Sequence, residues 1–307
     1  MTLRVLVSFH YFRDVDMAHL VDRLAAAYHG PIEVFADSGA YSAATLGTTV
    51  RLADYQAWLT DWAALITTAA TLDVIGDPVT TTRNTHHLHD AGHAVLPVFH
   101  TGTPWPALEA LCARHPYVAL GGMVPHRRRY SEVMRWLVRC FRIADEHGTV
   151  FHGFGQTNIT ALSALPFYSV DSSTWALGAR YGSLRLWDDR LHRITQLYTG
   201  DPAAARRHAR LLRSHGADPV AVSTRGFALK ADGKPEATYR AEDEIMRGAP
   251  ALAFHRLGAW LQQRHAVPAP IGHTTPGTRL YLADTSVGNF LPAARVIAAH
   301  TRKGTSS

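Results

Sequence analysis

Two cysteines are all that the 307 residues contain, and Cys112 and Cys140 form no CxxC pair. Their scarcity excludes a disulfide framework and a cysteine-built zinc centre, and it fits a reducing compartment. No apolar run approaches the ~20 residues that a membrane-spanning helix requires, so no membrane partner is expected. Charge is sparse as well: 18% of residues are charged against 47% hydrophobic, a balance that excludes disorder and describes a globular chain. The opening stretch "MTLRVLVSFHYF" carries Arg4 ahead of a short apolar run but lacks a small-residue cleavage site. It reads as a strand rather than a signal peptide, and a cytoplasmic location is expected. There is no internal repeat and no long linker. The net charge of +6 is a mild bias toward anionic partners.

What is present is an alternation of short apolar runs and longer amphipathic stretches. Strands are expected at 3–9, 32–36, 71–76, 94–99, 117–121, 149–154 and 165–170, with "SLRLW" (183–187) as an eighth. Between them, 14–30, 52–70, 104–115 and 130–148 show the three- and four-residue apolar spacing of helices. Strand–helix alternation of this kind implies parallel strands covered by helices. The count favours an α/β fold built as a closed (β/α)8 TIM-like barrel over residues 1–200. A mostly helical C-terminal part (201–300) would pack on the barrel, followed by a disordered tail (301–307). Further strand–loop pieces are read at 217–226 and 278–286.

In a parallel barrel, reactive groups collect at the carboxyl ends of the strands. Those ends read Asp37-Ser38-Gly39, Asp77-Pro78, His100-Thr101-Gly102, Gly121-Gly122-Met123, Gly153-Phe154-Gly155-Gln156 and Asp171-Ser172-Ser173. Each has a plainer explanation alone. An Asp before Ser-Gly caps a turn or helix, paired glycines permit a tight turn, and His100 is an ordinary hydrogen-bonded core histidine. Six such ends in succession carry more weight than any one. The cluster His86, His87, His89 and His93 has an i, i+4 pair suited to a metal, but it precedes a strand and so lies at the opposite end. It is read as a solvated helix face, and no metal site is expected. Arginines concentrate at 126–142 and 206–213, and arginine's planar fork matches phosphate.

Taken in order, these motifs resemble the tRNA-guanine transglycosylase superfamily, whose barrels exchange a guanine in a polynucleotide for a 7-deazaguanine base. The family's "DSGG" turn is matched by "DSGA" at Asp37, its "GGLA" element by "GGMV" at Gly121, Gly122 and Met123, and its "MGVG" turn by "HGFG" at His152 to Gly155. The nucleophilic Asp falls at Asp171, the second base-binding Asp at Asp77, and the base-binding Gln at His100. The resemblance covers about residues 30–180. It implies Asp171 and Asp37 as catalytic carboxylates, with Asp77, His100, Gly121, Gly122, Met123, Gly153 and Gly155 around the base. Arg127, Arg128 and Arg129 are placed on nucleic acid, and no cofactor is implied. The family's zinc ligands, three cysteines and a histidine, are absent, and the chain is shorter than the bacterial tRNA enzymes. Both departures resemble the DNA-modifying branch of phages and bacteria, which implies DNA and a free base such as 7-cyano-7-deazaguanine as partners. The alternatives are a zinc-free tRNA enzyme, a non-catalytic nucleic-acid-binding subunit and, against the scarcity of a compact ligand motif at these strand ends, an unrelated barrel hydrolase using a metal.

Overall fold

A computed structural model describes residues 2–123 and 130–303. Nine parallel strands form one nearly closed, barrel-like sheet: β1 (Leu3–Ser8), β2 (Ile32–Asp37), β3 (Ile66–Ala70), β4 (Val95–Leu96), β5 (Val98–His100), β6 (Tyr117–Gly121), β7 (Val150–Gly153), β8 (Ser169–Ser172) and β11 (Arg279–Asp284). Their order is β4-β3-β2-β1-β11-β8-β7-β6-β5. The two ends of that order, β4 and β5, are separated in the chain by Pro97 alone. Proline cannot donate to a ladder, so it interrupts a strand where it stands. β9 (Ser183–Asp188) and β10 (Arg193–Tyr198) make a separate antiparallel hairpin.

Two expectations about the strands are corrected. "SLRLW" forms β9 of the hairpin, and the place between β8 and β1 is taken by β11, from the far end of the chain. The sheet therefore crosses the boundary expected at residue 200. β11 is buried at all six positions, as a strand paired on both sides and covered on both faces should be. The third strand lies at Ile66–Ala70, ahead of the expected 71–76. The preceding helix stops at Asp61, and the β-branched run Ile66-Thr67-Thr68 takes the extended state it favours.

Alternate strand residues face opposite sides, and the core divides accordingly. Val5, Val34, Val118, Phe151 and Leu282 join helix residues such as Leu20, Leu108, Leu137 and Leu257 in the large cluster between sheet and helices. Leu6, Phe35, Tyr117, Ala119, Val150 and Tyr281 form a smaller cluster made almost wholly of strand residues, which fills the interior of the sheet. The interior is polar at the amino end. Glu33 accepts from Arg4 Nε (2.7 Å), Arg279 Nη1 (2.8 Å) and the Tyr281 hydroxyl (3.2 Å). A buried carboxylate with three donors has its lone pairs satisfied, which is what permits it there. No helix among the described residues is long and apolar enough to cross a membrane.

Candidate active site

Inward-facing positions near the carboxyl ends of the strands bring three carboxylates and two histidines together. Asp37 ends β2, and its Oδ2 accepts from the amide of Gly39 (3.0 Å). Gly39 has φ +75°, and a Cβ there would lie 2.3 Å from Ser8 Oγ and 2.5 Å from His10 Cβ. Only glycine allows this turn, for reasons of both conformation and space. Across from it, Asp73 Oδ2 lies 2.8 Å from His100 Nε2, and Asp73 Oδ1 accepts from Ser38 Oγ (3.3 Å).

Asp171, in β8, is approached from two sides. Its Oδ1 accepts the amide of Gly155 at 2.7 Å and lies 3.4 Å from His152 Nε2, a close contact in which Nε2 makes no hydrogen bond. His152 is fully buried, its ring 4.4 Å from Phe35 and 4.5 Å from Phe154. Its Nδ1 is 2.5 Å from Ser169 Oγ, which in turn bonds the Tyr117 hydroxyl. With the ring hydrogen on Nε2, Nδ1 accepts from Ser169 and Ser169 accepts from Tyr117; with it on Nδ1, the imidazole donates to Ser169. Burial lowers the His152 pKa, with Asp171 opposing, which favours the neutral ring.

The three carboxylates lie close enough to interact. Burial, then the charges of Asp73 and Asp171, push the Asp37 pKa up to about 7, against the Gly39 amide. A carboxyl poised near neutrality can give and take a proton, whereas its usual state at pH 7 only accepts.

The glycines act by closeness. A Cβ on Gly121 would meet His100 Cδ2 at 2.8 Å, and one on Gly153 would meet Phe167 Cε1 at 2.8 Å. Gly122, at φ +76°, accepts from Thr101 Oγ1 (2.9 Å) through its carbonyl. Met123, Gly155, Gln156 and Asn158 line a cleft of about 340 Å³ with Tyr130 and Val133. Met123 is itself buried, with Gln156 Nε2 3.7 Å from its sulfur.

Asp77 is not part of this group. It caps the helix Pro78–Asp90, accepting the amide (2.9 Å) and hydroxyl (2.7 Å) of Thr80, and those bonds lower its pKa. Asp73 stands at the site in its place. Both aspartates lie in "LDVIGDP", and the earlier strand end is what makes the first one face inward. Arg127, Arg128 and Arg129 lie outside the described residues. The histidine cluster is dispersed among separate partners: His87 on Gln56 (2.8 Å), His89 on the Val95 carbonyl (2.8 Å) and His93 on Thr60 (3.2 Å). Beyond Asp73, sequence reasoning passed over His152 as a functional group, along with Ser169 and Tyr117. The signal for His152 and Asp171 was a polar residue at an inward position of an otherwise apolar strand. Comparison with known protein families and with curated proteins finds no match to this chain.

Proposed function

We propose that the chain is a (β/α)8 barrel enzyme that exchanges guanine in DNA for a 7-deazaguanine base. On this reading β4 and β5 are one stave bent at Pro97, which makes eight. The observation that carries it is the pairing of Asp171, held by the Gly155 amide with His152 3.4 Å away, with Asp37, whose carboxyl is held near pKa 7. A nucleophilic carboxyl group beside a second one that can give and take a proton is what a double displacement at an anomeric carbon needs.

The chemistry follows from that division. An Asp171 oxygen attacks C1′ of the deoxyribose, the C1′–N9 bond breaks, and the electron pair leaves with guanine, which takes a proton from Asp37. The incoming base gives a proton back to Asp37, its nitrogen attacks C1′, and the bond to Asp171 breaks. Two inversions retain the configuration, and the covalent stage keeps the chain from losing its sugar. Asp73 and His100, with the backbone at Gly121, Gly122 and Met123, read the base edge. A base in a duplex is out of reach, so the nucleotide enters unstacked.

The test is incubation with a guanine-containing deoxyoligonucleotide and 7-cyano-7-deazaguanine, then mass spectrometry of the digested nucleosides. The expected result is a new deoxynucleoside with the wild type and none with Asp171→Asn. Exchange in a tRNA transcript but not in DNA would move the enzyme to RNA. Exchange in neither polymer, across a series of deazaguanines, would overturn the reading.

A further inference from the structure

The chain's whole charge excess sits in one segment. Residues 178–235 hold eleven Lys and Arg against five Asp and Glu, an excess of six, which equals the net charge of the entire protein. Nine of those eleven cations are arginine. The segment is an insertion, leaving the sheet just after β8 and ending where the long helix Glu236–Arg264 begins. It has a core of its own, with Leu184, Leu186, Leu197, Leu212, Val222 and Phe227 packed on Met246 and Ala249 of that helix.

Four of the segment's five acids are engaged elsewhere, and its arginines make no ion pair among the described residues. Asp188 accepts amides of the hairpin turn, at Arg190 and Leu191. Asp201 and Asp218 cap the helices Pro202–Arg207 and Pro219–Ser223, and Asp189 faces Arg256 of the long helix (3.8 Å). Arg206, Arg207, Arg210 and Arg213, on Pro202–Arg207 and the adjoining Ala209–Ser214, are exposed and make no ion pair among the described residues. The same holds for Arg190 and Arg193 of the hairpin, and for Arg180 and Arg225. The same segment carries two exposed aromatic rings, Tyr181 (71% exposed) and Tyr198 (58% exposed). Tyr198 pairs with Ser183 at the open end of the hairpin, the end joined to β8. That end is tied toward the site. Arg185 Nη1 donates to the Thr174 carbonyl (3.0 Å), and Thr174 Oγ1 is 2.7 Å from Ser172 Oγ, one residue beyond Asp171.

We infer that residues 178–235 form a docking surface for a polynucleotide, with the arginines on backbone phosphates and Tyr181 and Tyr198 as stacking platforms for bases. The inference rests on the transglycosylase reading only for its purpose, since it says how the substrate strand is held beside the site. The chemistry selects a polynucleotide over other anions. Arginines spread over four elements suit a polymer rather than a single phosphate, and arginine with exposed aromatics is the pairing that tracks single strands. An anionic membrane needs an apolar face to insert, and the large apolar residues of the arginine-bearing helices, Leu211 and Leu212, pack in the segment's own core.

The experiment is fluorescence anisotropy of the full chain with a labelled 20-nucleotide single strand, its duplex and an RNA hairpin, across a salt series. The comparison is with Arg206→Gln/Arg207→Gln/Arg210→Gln/Arg213→Gln and with Tyr181→Ala/Tyr198→Ala. Each lost phosphate contact removes about 0.7–0.9 from the slope of log K against log salt. The four-arginine variant should therefore lose roughly 3 from that slope and bind at least about tenfold more weakly at 100 mM salt. Its thermal unfolding should match the wild type, since the side chains are exposed. The tyrosine variant should weaken single-strand binding with little change of slope. Preference for the RNA hairpin, with the same loss in the arginine variant, upholds the surface and reassigns the substrate polymer. Wild-type affinity and slope in the arginine variant would overturn the inference. So would binding to vesicles containing phosphatidylserine with none to any oligonucleotide. Strand binding that follows these expectations without base exchange would sink the transglycosylase reading alone.

Discussion

Replacing Asp37 by Asn should stabilise the fold at alkaline pH and abolish the chemistry. Burial and the neighbouring charges of Asp73 and Asp171 raise its pKa from 3.8 to about 7. Below pH 3.8 the group is protonated in folded and unfolded chains alike and contributes nothing. Between those values the folded chain binds a proton that the unfolded chain releases, so stability falls as pH rises toward 7, and above it the full cost stands. A rise from 3.8 to about 7 corresponds to about 4 kcal/mol as an upper bound. Asp37 keeps some contact with solvent, and screening brings the expected figure to about 1–3 kcal/mol. Asn keeps an acceptor for the Gly39 amide, carries no charge beside the other carboxylates, and cannot shuttle a proton. Urea unfolding of both proteins from pH 4 to 8 measures this. Asn should match the wild type at pH 4 and exceed it increasingly toward pH 8, with base exchange lost throughout. A difference independent of pH, or a variant no more stable than wild type at pH 8, would refute the argument from buried charge.

Other perturbations separate further parts of the structure. His152→Phe fits between Phe35 and Phe154 but removes the imidazole that lies 3.4 Å from Asp171. Exchange kcat should fall roughly 10–100-fold with KM nearly unchanged, as steady-state kinetics would read. His100→Gln replaces the partner of Asp73 and should alter relative kcat/KM across a series of deazapurines; an unaltered series counts against a role in base choice. Glu33→Gln leaves Arg4 and Arg279 without their shared carboxylate and should destabilise by about 3 kcal/mol in urea titrations. Gly178→Ala places a Cβ 2.1 Å from the Ser183 carbonyl oxygen. It should cost about 1–3 kcal/mol by thermal unfolding.

Sequence by itself determined the class of fold and most of the strand ends that matter. Period-2 and period-3.6 patterns are local, so strands such as 32–36 and 117–121, and the carboxylate Asp37 at the end of the first, were legible from the sequence alone. Three things were decided only by the tertiary structure. β11 reaches its place between β8 and β1 from more than a hundred residues away, and no local pattern states a strand's neighbours. The choice of Asp73 over Asp77 depended on where β3 ends, and a boundary between a helix tail and a β-branched run is weakly encoded because both states suit such residues when buried. The Tyr117–Ser169–His152–Asp171 chain links three strands. Its members are polar residues at inward positions, and they become a connected set only when the parallel register of β6, β7 and β8 brings them level, because hydrogen bonds between side chains depend on distance in space rather than along the chain.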